Sequence, residues 1–307
     1  MKKISFLIAA HNEEKIIAKT LENLLNIPYG NYEIILGLDG CSDRTEEIVK
    51  KYAKKNSKIR YFSLNLRSGK PAVINTIIKK ATGEIIIVHD ADWLFVINKK
   101  KDFEEMISLF NNLKIGGIAE SFPMEYHKDN LRKANFSYKM TAYATYFWMQ
   151  FQKENYTFKK DEKIYVKEPT MFMTNIFRKK LFKPNNSLGD DFERTADIIN
   201  QKSQVVLLND LDKPRRKTTY TELRLVDFFK QKIRTAKARK QLSQKEKNVG
   251  SGYYFKSIIF MIYASMRSGF MPLVYTLSWI FLTLLASVKS SFYSIDTKKD
   301  WELRAKR

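Results

Sequence analysis

The stretch that decides the fold is GEIIIVHDADWLF, residues 83–95. Ile85 to Val88 form a short apolar run behind a turn glycine, the composition of a buried strand. The run passes directly into His89, Asp90, Ala91 and Asp92. Carboxylates one residue apart on extended backbone point to the same side, and paired oxygens suit a hard cation. Aspartate is also a good turn former, so the tripeptide alone leaves a plain solvated strand end open. His89 faces the other way in this reading, into packing.

The preceding residues alternate between strand and helix. Ile4–Ala10 reads as a buried strand, and residues 13–26 place Ile16, Ile17, Thr20, Leu21, Leu24 and Leu25 at helical spacing. Tyr32–Asp39 is a second strand, followed by a helix capped by Ser42 or Asp43, with Glu46 placed to close a capping box on Asp43. Residues 58–65 are a third strand, residues 68–83 a helix that exits at Gly83, and residues 84–92 the fourth strand. This alternation predicts an α/β fold, a mostly parallel twisted sheet with helices on both faces. Ligands of such sheets collect at the carboxyl ends of the strands.

Every one of the four strands ends in polar chemistry. His11, Asn12 and Glu13 follow the first, Asp39 ends the second, residues 67–70 with Gly69 and Lys70 follow the third, and Asp90 and Asp92 follow the fourth. The acids suit a cation and ribose hydroxyls. Lys70 at a helix start suits a phosphate. No G-x-G-x-x-G follows the first strand, and RSGKPA is not a P-loop.

The 307 residues allow one large core plus an appendage. A net charge of +22 is unevenly spread: from Lys213 onward there are 21 basic and 6 acidic residues. A basic end of that kind points to polyanions, nucleic acid or an anionic membrane surface. Cys41 is the single cysteine, which excludes an internal disulfide framework and a cysteine metal cluster. The opening MKKISFLIAAHNEE reaches Asn-Glu-Glu too soon for a signal peptide, and reads as the first strand of a cytosolic protein.

Taken together, FLIAAHNEEKIIAKTLENLL, EIILGLDGCSDRTEEIV, NLRSGKPAVINTIIKKATGEIIIVHDAD and LGDDFE resemble the family 2 glycosyltransferases, which have the GT-A fold. The similarity is clear over residues 3–93 and resumes around 170–235. It implies a nucleotide-sugar donor whose base and ribose are held by Ala10, His11, Asn12, Glu13 and Asp39, with Gly69 and Lys70 nearby. It implies Mg²⁺ or Mn²⁺ bridging the diphosphate, with Asp92 as direct ligand and Asp90 toward the donor sugar as well as the metal. In SLGDDFERTADII the family has an acidic pair, here Asp190 and Asp191, whose second member is the base of an inverting transfer. Gly189 would let that loop approach closely, and residues 168–182 would run as strand and turn beneath the acceptor site. A later Gln-x-x-Arg-Trp element maps onto Gln231 and Arg234, but Thr235 stands where tryptophan is expected, which puts processive polymerisation in doubt.

Residues 1–212 would then be the catalytic domain, with a donor half to residue 93. Residues 213–256 carry 14 basic and 3 acidic residues and form a basic amphipathic interfacial segment. Residues 257–288 are mostly apolar, the second part long enough to span a membrane and the first too short to cross alone. A membrane hairpin or single span with a basic tail, 289–307, places the catalytic domain at the cytoplasmic face of the cell membrane by the positive-inside rule. No nucleic-acid motif accompanies the charge. The expected partners are a nucleoside-diphosphate sugar, weighted toward uridine, a lipid-linked or growing glycan acceptor, and anionic lipid; no signal sets an oligomeric state. The aromatic run MTAYATYFWMQFQ, residues 140–152, is read as a packed helix rather than an acceptor platform. Alternatives are a polyprenyl-phosphate sugar synthase of the same family, a sugar-nucleotide pyrophosphorylase, which should carry a glycine-rich loop after the first strand, and a non-catalytic membrane-binding module.

Overall fold

The computed structural model describes residues 1–120, 131–167, 172–208, 213–218, 222–244 and 251–292. Strands β1 (Ile4–Ala10), β2 (Tyr32–Asp39), β3 (Ile59–Leu64) and β4 (Ile85–Asp90) fall where the sequence places them. Helices α1 (Ile17–Leu25), α2 (Thr45–Lys55) and α3 (Lys70–Ile77) connect them. These strands form a parallel block in the order β3-β2-β1-β4. The chain leaves β1 in one direction to build β2 and β3, then returns through α3 to the other side. The order reverses between β1 and β4, where a ligand crevice is expected.

The sheet continues through β9 (Met173–Arg178), β6 (Ile115–Glu120), β10 (Gln204–Leu208), β8 (Lys163–Val166) and β7 (Thr157–Lys160), nine strands in all. β9 runs antiparallel to both β4 and β6. A two-stranded ribbon, β5 (Trp93–Val96) with β11 (Arg215–Thr218), follows directly on β4. Both faces of the central strands are covered, which is why β1, β2 and β4 carry long apolar runs. Ile4, Phe6 and Ile8 pack with Ile17, Leu21 and Leu24 of α1 and with Phe103 and Phe110, while Leu7, Ile35 and Ile86 pack with Val73, Ile74 and Ile77 of α3.

Several local expectations are corrected. The acidic pair does not lie on continuous strand, because β4 ends at Asp90 and residues 91–92 form a turn before β5. No capping box forms at α2. Asp43 accepts hydrogen bonds from the backbone N–H groups of Thr45 at 3.0 Å and Glu14 at 3.1 Å, but Glu46 turns to Ser63 and Lys50 instead. Gly83 does not cap α3, whose end tightens into a 3₁₀ turn at Ile78–Lys80. Its role is close approach: a Cβ there would sit 2.7 Å from the backbone of Ile4 and of Ser5.

The further helices among the described residues are α4 (Lys100–Ser108), α5 (Phe136–Tyr156), α6 (Asp190–Asn200), α7 (Leu225–Gln244), α8 (Ser251–Ser268) and α9 (Phe270–Ser290). The aromatic run falls within α5 and does pack: Met140, Phe147, Met149 and Phe151 are buried. The apolar piece that looked too short to cross belongs to the 18-residue helix α8. Helices α5, α7, α8 and α9 share a core in which Phe147, Phe228, Met261, Tyr275 and Trp279 meet. The sheet thus carries a helical layer made largely of the C-terminal third of the chain.

Candidate active site

The first strand exits assemble around Asp39. Its carboxylate accepts from the Ser68 N–H at 2.6 Å, the Ser68 hydroxyl at 2.9 Å and the Gly69 N–H at 2.8 Å. It therefore fixes the loop that leads into α3. Gly69 has φ 88, a left-handed conformation that glycine alone adopts readily. Pro71 then starts the helix without a wasted donor. His11 Nδ1 lies 2.6 Å from the Asp39 carbonyl oxygen. Asn12, at φ 53, accepts the Ser42 N–H at 2.8 Å, and the Glu13 N–H donates to Thr45 Oγ1 at 2.7 Å. Cys41 Sγ contacts the Ala10 carbonyl oxygen at 3.5 Å. Ala10, His11, Asn12, Glu13, Asp39 and Gly69 thus form one connected group at the ends of β1 and β2, beside the start of α3.

Lys70 joins this group to a cleft of ≈ 400 Å³. Its ammonium meets Asp90 Oδ1 at 2.8 Å. Lys70, Asp90, Asp92, Asp190, Asp191, Gln231 and Arg234 all line that cleft. They come from α3, the end of β4, α6 and α7, segments far apart in sequence.

The turn carrying Asp92 is pinned by residues the sequence reading assigned only to a helix face or did not single out. Thr20 Oγ1 on α1 donates to the Ala91 carbonyl at 2.6 Å, and Asn23 exchanges two hydrogen bonds with the Phe95 backbone. Arg216 of β11 lies over the Trp93 ring at 4.5 Å and ion-pairs with buried Glu120 at 2.6 Å. Burial pushes the Glu120 carboxyl upward, and the Arg216 charge opposes that shift. His89 is fully buried, with Nε2 3.1 Å from the Trp93 carbonyl oxygen, so the packing assignment fits its surroundings.

The two acids of α6 differ. Asp190 is buried and ion-paired with Arg194 at 2.7 Å, and Arg194 also bonds the Thr174 carbonyl and Asn175 Oδ1. Asp191 is half-buried, and burial together with Asp190 raises its proton affinity against the opposing charges of Lys70 and Arg194. Gly189 sits at φ −110, open to any residue, so the backbone there does not require glycine.

Asp90 and Asp92 supply oxygens at 8 % and 4 % residue exposure. Among the described residues no cluster of three or more His, Cys, Asp or Glu is arranged to hold a metal. A two-carboxylate set fits a Mg²⁺- or Mn²⁺-like ion that shares its shell with phosphates, and not an all-protein cage. Lys232, Trp279 and Thr283, which carry no role in the sequence reading, also line the cleft, as do Thr141, Thr145 and Trp148 of α5, expected only as part of a packed helix. The signal was present only as a basic helix beside an apolar one. Of the segment expected beneath the acceptor site, residues 168–171 lie outside the described residues.

The model of the family described as "Glycosyl transferase family 2" matches residues 5–182. The chain belongs to glycosyl transferase family 2. Over 115 residues this family 2 chain is 36 % identical to the poly-beta-1,6-N-acetyl-D-glucosamine synthase of Staphylococcus epidermidis, a stretch covering 38 % of the chain and 27 % of that protein. Over 131 residues it is 33 % identical to the beta-monoglucosyldiacylglycerol synthase of Trichormus variabilis, covering 41 % and 27 %. The match spans about a quarter of each relative. A mannosyltransferase of Pyrobaculum calidifontis, solved with GDP-Man and Mn²⁺, superposes with a TM-score of 0.61 at 15 % identity, over 95 % of this chain and 87 % of that one. Staphylococcus aureus TarS residues 1–349 give 0.50 at 15 % identity, over 97 % and 77 %. The GT-A expectation therefore holds for the fold of this family 2 chain.

Proposed function

We propose that the chain is an inverting, divalent-metal-dependent glycosyltransferase that moves a sugar from a nucleoside-diphosphate sugar to a lipid-linked or growing glycan at a membrane surface. One observation carries the reading: Lys70, Asp90, Asp92 and Asp191 share one cleft. The nucleoside sits against the group formed by residues 10–13 and Asp39, with uridine as the first choice. Lys70 reaches the diphosphate, and Gln231 and Arg234 approach it from α7. Asp90 and Asp92 would hold the metal, which when bound would neutralise charge gathering on the departing diphosphate.

Asp191 accepts the proton of the acceptor hydroxyl as its oxygen attacks the anomeric carbon, and the carbon–oxygen bond to the diphosphate breaks with its electron pair leaving on that group. Asp190 and Arg194 hold α6 in register for this. Relatives named as a polysaccharide synthase and a glycolipid synthase support both acceptor classes. The apolar helix α9, long enough to cross a bilayer, and the exposed apolar outer faces of α8 and α9 support membrane contact. Because one face of α9 packs on the catalytic half, we read the helical layer as lying in the interface rather than standing apart as a span.

The test is a thermal-shift series with UDP and GDP, each with and without Mn²⁺. A metal-dependent rise in Tm is expected, and it should vanish in Asp92→Asn while that variant still folds. A fully active Asp92→Asn enzyme would sink the metal assignment. No shift with any nucleoside diphosphate would return the chain to a binding-module reading.

A further inference from the structure

The cleft has a second end that the transfer chemistry leaves unused. Lys232 of α7 turns into it, with Nζ 4.2 Å from the centroid of the Trp279 ring on α9 and 5.2 Å from that of Phe228. Among the described residues no carboxylate pairs with it. Burial pulls its amine down to about 7, and the neighbouring charge adding to this is the like charge of Arg239 rather than any of the four cleft aspartates. Two more donors belong to side chains in the wall of the same space. The Trp279 indole Nε1 and the Thr283 hydroxyl are buried and have no hydrogen-bond partner among the described residues, and both side chains line the cleft. Trp279 is only 8 % exposed.

An indole N–H and an ammonium donate and cannot accept, so this end is a donor set without an acid. Its complement is an oxyanion. Ile258, Met261, Ile280 and Leu284 supply apolar wall in this cleft, beside Ser257 and Ser287. Leu284 is also 53 % exposed, so the cleft opens there onto the outer face of α9. That face continues as Leu277, Phe281 and Val288, one helical stripe of exposed apolar side chains.

We propose that this end of the cleft holds the phosphate of a lipid-phosphate-linked sugar acceptor on Lys232, Trp279 and Thr283, with the hydrocarbon tail leaving past Leu284. The assignment rests on the glycosyl-transfer reading and names its acceptor class: the sugar hydroxyl points to Asp191 while the phosphate anchors the other end. Electrostatic attraction and two directed donors select the phosphate, and the stripe on α9 selects the tail. The donor's diphosphate is assigned to Lys70, the aspartates, Gln231 and Arg234, and the variants below tell the two phosphates apart.

The test uses the full chain in detergent micelles, with farnesyl phosphate, farnesol and inorganic phosphate as probes. Farnesyl phosphate should bind at least about tenfold more tightly than either of the others. Lys232→Gln and Thr283→Val should each weaken it several-fold while UDP and GDP affinities stay within about twofold of wild type. Equal binding of farnesol overturns phosphate recognition, and equal binding of inorganic phosphate overturns tail recognition. Parallel loss of nucleoside-diphosphate affinity in both variants assigns the site to the donor and overturns the proposal. A wild-type protein that prefers farnesyl phosphate yet binds no nucleoside diphosphate sinks the transferase reading and leaves the lipid-phosphate site standing.

Discussion

Asp190 and Asp191 are neighbours on the first turn of α6, yet their surroundings assign them different work. Asp190 is held by Arg194, and Asp191 faces the cleft with its proton affinity raised by burial and by Asp190. A base must be ionised to act, so transfer should fall as pH drops through a value above the ordinary aspartate range. Asp191→Asn should lose about 10²–10⁴-fold in kcat with donor affinity kept, a pH–rate series on both forms being the check. Glu33 shows the opposite shift. Burial pushes its carboxyl up, but donors from Ser5 and Thr82 and the Arg60 charge outweigh that and bring it from 4.5 to about 2. Its ionised form therefore stabilises the fold fully above pH 4.5, and the contribution is lost as pH falls toward 2. Glu33→Gln should cost about 1–3 kcal/mol in urea melts at neutral pH and lessen the acid sensitivity. The acids of the site were legible because they sit at strand ends in a recognisable pattern. Lys232 was not, since a lysine in a basic helix looks solvated until a tryptophan from another helix is placed beneath it.

Helix α1 does more than cover the sheet, because Thr20 and Asn23 hold the backbone on both sides of the Asp92 turn. Thr20→Val keeps the shape and strands the Ala91 carbonyl, so it should destabilise by about 1–3 kcal/mol. It should also raise the Mn²⁺ concentration needed for half-maximal activity, a titration that a purely structural loss elsewhere would not move. β1, β2 and β4 could be read directly, since strands buried on both faces are near-continuous apolar runs. The failures were local and share a cause. Glu46 left its capping box for Ser63, and Gly83 serves β1 rather than α3, in each case because a tertiary neighbour outcompeted a sequence-local partner. The Gly69–Lys70–Pro71 start of α3 matches its sequence signal, because there the tertiary neighbour, Asp39, reinforces the local preference.

Across the whole molecule, basic residues and exposed apolar stripes concentrate in the same C-terminal third. Flotation with vesicles containing anionic lipid should carry the protein upward, more weakly at high salt. Phe281→Glu, on the 60 %-exposed outer side of α9, should abolish flotation while nucleoside-diphosphate binding survives. The C-terminal elements were only half legible. Hydropathy registers an apolar helix long enough for lipid, but not that its other face closes the candidate cleft, since α9 carries one exposed and one packed apolar stripe. That double duty changes the dimensionality of the reaction. With α9 as both cleft wall and outer surface, the proposed lipid-linked acceptor would arrive by lateral diffusion and need never enter bulk water. The governing concentration is then the acceptor's mole fraction in the bilayer, so diluting it with inert lipid at fixed total amount should slow turnover.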